Sequence, residues 1–504
     1  MIRGICLGVA AIVASGCGGS APGASSDREV APVSTSSPEQ APIGPDQPVS
    51  SVLVSEPTMI APVDAGSAVD AGSAAVTAMA EASSAPIAPA GWWRTYAGTD
   101  ASARDAAVDV AIDGRGRAIV LASLAQSTFG VLAYNPDGTL AWASTYRDPA
   151  DDADVATKLA VDASGNVYAA GSWQRSDAPL GGFLVISLDS TGALRWSGRS
   201  DSGGALSGLA VERAGHVVVT GNGSDGTHTL ARTIAYDEGG NVLWQASEPG
   251  PLGLGADGRY VAFDADANVY VAGESTDGNQ NQVTLFAYDA RGTRLWTTRS
   301  NDDPVHIPQT TAQALALDAL GEPHVAIAEA YRTTQDAEPT VELAVKKYDV
   351  SGAVVWAAAV DAASRNIATA MAIDPQGRVT VTGFAGSPNP DSYLTAQFDS
   401  AGQLRWTERD SWNAAGQHEA RAVTLDEAGN AYVTGTVYGA DGVAAFGSIA
   451  YDSNGGVLFR EVDGDSDSRV ASALALDRSG GLYIVGSGLS SPHGVVGVLR
   501  SPSR

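Results

Sequence analysis

Three groups of residues in this chain have types and spacings that could do chemistry. Asp463, Asp465 and Asp467 alternate along one connection, and alternating carboxylates offer hard oxygens to Ca²⁺. A tight calcium loop wants Gly at its sixth position and a bidentate Glu at its twelfth. This one has Ser468 and Leu474, so a solvated acidic loop competes with the calcium reading. Asp148, Asp151, Asp152 and Asp154 form a second acid-dense connection. The next group is aromatic: Trp173, Tyr331, Phe384, Trp412 and Tyr438 stand near Asn, Gln and Asp, a setting that suits sugar rings or peptide side chains. Packing over strand ends is the competing reading for each. The last is Cys17, a thiol placed to carry a lipid. Little here points to catalysis. The histidines, His216, His228, His306, His324, His418 and His493, are scattered singly. The chain has no His-Glu-x-x-His, no Gly-x-Ser-x-Gly and no phosphate-cradling loop.

The elements that must position these residues come from a sentence repeated eight times. Its first half carries an acid at Asp113, Asp162, Glu212, Asp264, Asp318, Asp374, Asp426 and Asp477, spaced 49 to 56 residues apart. Its second half turns at Asn135, Asp189, Asp237, Asp289, Asp349, Asp399 and Asp452. An aromatic follows each by seven residues: Trp142, Trp196, Trp244, Trp296, Trp356, Trp406 and Phe459. Asp bonds its own downstream amides and Gly accepts positive φ, so Asp-x-x-Gly is turn chemistry. The flanking runs are β-branched and aromatic, and no helical period is sustained. Each unit therefore holds four short strands, a to d.

A four-stranded unit of about 50 residues cannot bury both faces alone, and units set radially bury them against one another. The expectation is an all-β, eight-bladed β-propeller over 91–504. The recurring Trp is expected to pack between blades rather than bind a ligand. The eighth unit stops before its strand d, and Trp92-Trp-Arg-Thr95-Tyr96 matches Trp142-Ala-Ser-Thr145-Tyr146 at three positions. An N-terminal strand is therefore expected to close the ring, leaving no blade half-paired. In such a meander the a–b and c–d turns share one face, and the b–c and d–a connections share the other. The second set varies in length and content, as in 172–182, 274–282, 329–340 and 436–445. Binding is expected there, since loops on a rigid scaffold carry function.

Asp426-Glu-Ala-Gly-Asn430-Ala-Tyr432-Val-Thr-Gly435, followed by a Tyr-Asp-x-x-Gly half, resembles the bacterial β-propeller repeat family known as SBBP. The resemblance covers residues 92–500. It implies a secreted or surface-attached protein, and it carries no general catalytic motif. The family name implies seven blades, where this chain counts eight. The first halves also look like NHL repeats, and the Trp halves look like those of quinoprotein propellers.

Ile5–Val13 is an apolar run too short to span a bilayer. With Ala14-Ser15-Gly16-Cys17 it looks like a bacterial lipobox, so 1–16 read as a lipoprotein signal peptide and Cys17 as the lipidated residue. An ordinary cleaved signal peptide is the alternative. Gly18 in place of Asp resembles sorting to the outer membrane, with the domain periplasmic or surface-exposed. Residues 17–90 read as a lipidated Cys followed by a disordered Ala/Pro/Ser-rich tether, too poor in apolar bulk to offset its ordering entropy. The only other cysteine is Cys6. A net charge of −27 and a pI near 4.4 argue against nucleic acid, and leave the lipid as the one membrane contact. The sequence thus reads as a non-catalytic binding or scaffold module for protein or polysaccharide, with no cofactor beyond a possible Ca²⁺. The alternatives are a polysaccharide-active or quinone-dependent enzyme, and an outer-membrane assembly factor.

Overall fold

A computed structural model of the chain describes residues 91–96, 105–124, 128–148, 153–176, 178–201, 203–278, 280–300, 309–331, 340–360, 365–386, 392–412, 416–439, 441–463, 468–488 and 495–501. Cys17 and the tether lie outside them. The described residues form 32 strands in eight four-stranded antiparallel sheets, the blades of a β-propeller. The ring therefore has eight blades, not the seven that the family resemblance implies. Blade 1 runs a to d through Ala106–Ile112, Ala118–Leu124, Thr128–Tyr134 and Leu140–Tyr146. Blade 8 is assembled from both chain ends. Its a, b and c strands are Arg469–Leu476, Leu482–Gly488 and Val495–Ser501, and Trp92–Tyr96 is its strand d. Trp92 stands opposite Arg500, and Tyr96 opposite Val496. The a strands of successive blades touch around the whole ring, blade 8 on blade 1 included, so a lines the axis and d the rim.

The core lies between blades, in clusters shared by neighbours. Val185 and Phe183 of blade 2 pack with Val217, Val219 and Ile234 of blade 3. Val485 and Tyr483 of blade 8 pack with Val110 and Val120 of blade 1. The repeated Trp belongs to this packing. Trp92, Trp142, Trp244, Trp296, Trp356 and Trp406 each cover the Gly that ends the c–d turn of the next blade. Those glycines have φ between +81° and +89°, and an added Cβ would come within 2.5–2.9 Å of the indole. In several blades the indole N–H also donates to a carbonyl of that turn: Trp92 to Pro136 at 2.9 Å, Trp196 to Glu238 at 2.9 Å, Trp296 to Val350 at 2.8 Å and Trp356 to Ser400 at 3.1 Å, whereas the Trp406 indole N–H finds no such partner. One side chain thus supplies apolar area and a hydrogen bond to the same neighbour.

Candidate binding face

The turn face is built from acids whose lone pairs are taken. In the seven a–b turns that carry Asp, one carboxylate oxygen accepts local amides, as Asp113 does from Arg115 and Arg117 at 2.9 Å. The other oxygen meets a side chain. Asp162 accepts from Asn166 at 2.7 Å and Tyr168 at 3.2 Å, and Asp426 repeats this with Asn430 and Tyr432. Arg117, Lys347, Arg378 and Arg500 fill the same place for Asp113, Asp318, Asp374 and Asp477. Burial, with help from Asp162, pushes the Tyr168 hydroxyl up to about 12, so it stays a neutral donor. A face on which seven of the eight a–b acids are saturated by their own blades holds its turns and offers little to a ligand.

The opposite face differs at the axis. Strand a bulges at the same level in every blade, inserting Val108, Thr157, Ser207, Arg259, Gln313, Thr369, Arg421 and Ser472 in turn. A bulge bends its strand and re-aims a side chain. Seven of the eight inserted residues are polar. Some of this polarity stitches blades together: Asp109 accepts the Leu159 amide of blade 2 at 3.0 Å, and Thr369 donates to the Ala420 carbonyl of blade 7 at 2.8 Å.

Blade 4 is less balanced. Its strands a and b, Ala256–Phe263 and Val269–Thr276, place Asp257 directly opposite Glu274. Like charges in register repel. Arg259 serves both, with Nη1 2.9 Å from Glu274 and Nε 3.2 Å from Asp257. Burial pushes the Glu274 carboxyl up to about 7, with Asp257 adding to the rise and Arg259 opposing it. Sequence reasoning missed this cluster. Its one signal was a Glu after the strand-b Gly273, where blades 2 and 8 carry Ser172 and Ser487.

Of the five aromatics read as loop residues, only Trp412 lies in a connection. Trp173 and Phe384 are inside strands and buried. Tyr331 and Tyr438 end their strands, and the Tyr331 side chain is outside what is described. The b and c strands run farther toward this face than their composition suggests, because paired backbone continues past the repeated motif. Trp173 lies under Arg199 at 3.8 Å and donates to the Ser200 carbonyl, while Arg199 holds Asp148 at 2.9 Å. Trp412 lies under Arg460, which pairs with Asp410, and meets the Tyr393 ring edge-on at 5.5 Å. The three do not converge on one pocket wall: Trp173 sits in blade 2, Phe384 in blade 6 and Trp412 between blades 6 and 7. Asp463 faces Arg469 at 3.7 Å, and Asp465 and Asp467 lie outside the described residues. His216 pairs with Glu212 at 2.7 Å, and His324 is buried against Trp356.

No family model and no curated protein matches this chain. Solved structures do. A structure of the Dos1 propeller is 13% identical, with a TM-score of 0.51 over 82% of this chain and 94% of that one. A catalytically inactive virginiamycin B lyase from Staphylococcus aureus with quinupristin is 12% identical, with a TM-score of 0.40 over 81% of this chain and 99% of that one. The first likeness is one of fold, a β-propeller, and at that identity it carries nothing about function.

Proposed function

We propose that this chain is a non-catalytic binding module for protein or glycan, working through the face that carries its b–c and d–a connections. One observation carries the reading: the two faces differ in how far their polar groups are used up. The turn-face acids are matched by partners from the same repeat, whereas on the axial side of blade 4 two carboxylates share Arg259. The lipobox-like segment supports a lipid anchor at Cys17, and with it a place in the bacterial envelope at the outer membrane. The SBBP-like repeat fits the same address. Glycan and peptide arrays probed with the purified chain test the binding. Alanine substitutions at Asp257, Arg259 and Glu274 should abolish the array signal, and substitutions at Asn166 and Asn430 on the turn face should not. The opposite pattern overturns the reading. Loss of the domain on adding protease to intact cells tests surface exposure.

A further inference from the structure

We propose that Leu252 is the anchor of a protein-docking site, a preset apolar finger that seats in an apolar socket ringed by cationic groups on a partner protein. The inference rests on the loop face being the working face, and it names the partner's chemistry. Blade 3 ends at Glu248 and blade 4 begins at Ala256. Between them runs Pro249-Gly-Pro-Leu252-Gly-Leu254-Gly255, with one 3₁₀ turn over Pro251–Gly253. Leu252 tops that turn at φ +58° and ψ +20°, and it is 89% exposed.

Both features run against expectation. The left-handed region crowds Cβ against the carbonyl, and a large aliphatic residue there is an outlier. Only Leu252 and Ala267 are non-glycine residues with positive φ among those described. Ala267 is explained by the repeat, because it occupies the a–b turn position where Gly165 and Gly429 stand in other blades. Nothing in the repeat asks for Leu252. Other exposed aliphatics have ordinary settings. Leu140, Leu194 and Leu404 are about half exposed on rim strands, and Leu320 sits in a regular a–b turn on the opposite face.

The loop is also built to hold its shape. Gly250 N–H donates to Leu254 O at 2.6 Å, Leu254 N–H to Pro251 O at 3.0 Å, and Thr276 N–H to Gly255 O at 2.9 Å. A Cβ on Gly250 would lie 2.4 Å from Gly255 O, so the loop closes on itself tightly. Leu254 is the half-buried foot, leaning toward Gly278 of the b–c connection. A strained, exposed conformation kept by surrounding bonds points to a use outside the molecule. An apolar side chain already fixed in place loses little freedom on binding, and such anchors dominate interface energetics. Charge sets the rim of the socket. Glu248, Asp257 and Asp277 flank the loop, with Arg259 and Arg294 as the neighbouring guanidiniums, on a chain of net charge −27. A cationic ring around an apolar pocket complements that surface.

The test places a benzophenone amino acid at position 252 of the full chain, with position 320 as the opposite-face control and position 421 as a second loop-face site. Irradiation in the cells that make the protein should give one discrete adduct from 252 and none from 320, mapping to an apolar pocket bordered by Lys or Arg. With that partner purified, Leu252→Asn should weaken binding by about tenfold or more. Asn keeps the left-handed backbone, so the melting temperature should hold or rise. Leu252→Met should retain binding. No adduct from 252, an adduct with a second copy of this chain, or undiminished binding by Leu252→Asn overturns the finger. If 421 alone cross-links, the finger falls and the loop-face reading stands; if 320 alone does, both fall.

Discussion

Arg500 in blade 8 and Arg259 in blade 4 both hold carboxylates away from water, and the sets around them differ. Arg500 is fully buried. Its guanidinium reaches Asp477 at 3.0 Å, Tyr483 at 2.9 Å and Ser479 at 3.4 Å. Asp477 in turn accepts from Ser479 and Gly481. Burial would raise that carboxyl, yet these hydrogen bonds and Arg500 hold it below the usual carboxylate range. Every charge there has a match. Arg259 has two carboxylates to serve, and Glu274 is held up near 7. The first arrangement fixes a strand; the second leaves a residual demand for a proton or a ligand. A buried ion pair is evidence of structural work when its count balances, and of a possible site when it does not.

Arg500→Met attacks the balanced set and should have the largest effect. It strands a buried Asp477 beside the C-terminal strand, at a cost of about 3–5 kcal/mol. Urea titration of the full chain reads this as a lower midpoint. Adding Asp477→Asn should recover more than half of the loss. A single-mutant cost below about 1 kcal/mol would mean that Arg500 is not the fastener of blade 8. Arg259→Met sharpens the contrast. Its cost should be smaller at pH 6, where Glu274 keeps its proton, than at pH 8.

Glu274 gives the next effect, and its sign is fixed by linkage. The unfolded carboxyl ionises near 4.5 and the folded one near 7. Between those values the folded state binds more protons, so stability falls as pH rises through the window and is flat above it. Glu274→Gln should remove that loss, stabilising the fold by on the order of 3 kcal/mol at pH 8 and by little at pH 4.5. His324 pulls the other way. Burial lowers it to about 4, with Asp318 opposing, so its contribution is present above pH 6.5 and is lost as pH falls toward 4. The two slopes oppose each other between about pH 4.5 and 6.5 and largely cancel in the native chain, so Glu274→Gln should uncover a fall in melting temperature from pH 6.5 toward 4 that the native chain hides.

The number of blades and the turns were legible in the sequence because they are local. Asp-x-x-Gly fixes its own backbone, and a spacing of 49 to 56 residues repeats it. The Asp257–Arg259–Glu274 cluster was not, because its members meet across a register that a bulge at Arg259 sets. Trp173 and Phe384 read as loop residues because they follow the last repeated Gly of strand b, whereas the pairing that buries them runs past it. The Arg–Trp stacks likewise join residues far apart in sequence, such as Arg460 and Trp412. What repeats was visible, and what varies needed coordinates, which is also where binding is proposed.

Phe459 is the smallest and most discriminating case. Among the aromatics at the d-strand level it alone is not Trp, and in sequence it looks like drift. Its neighbour is blade 8, whose strands c and d come from opposite ends of the chain, so no c–d turn joins them. Among the described residues no turn glycine and no turn carbonyl stands at that position. Phe459 packs on Tyr432 of its own blade at 6.2 Å, as Trp296 does on Tyr270 at 5.9 Å, and it also borders the apolar cluster of Leu482 and Ile484 in blade 8. What Trp296 has in addition is the turn of the next blade: it covers Gly352 and donates to Val350. Trp296→Phe should therefore cost about 1 kcal/mol from the lost hydrogen bond, plus the area of the larger ring. Phe459→Trp should gain nothing, since the added N–H has no turn to meet. Equal and opposite changes in urea midpoint for the two swaps would show that ring size alone sets this position, and that the missing turn is irrelevant to it.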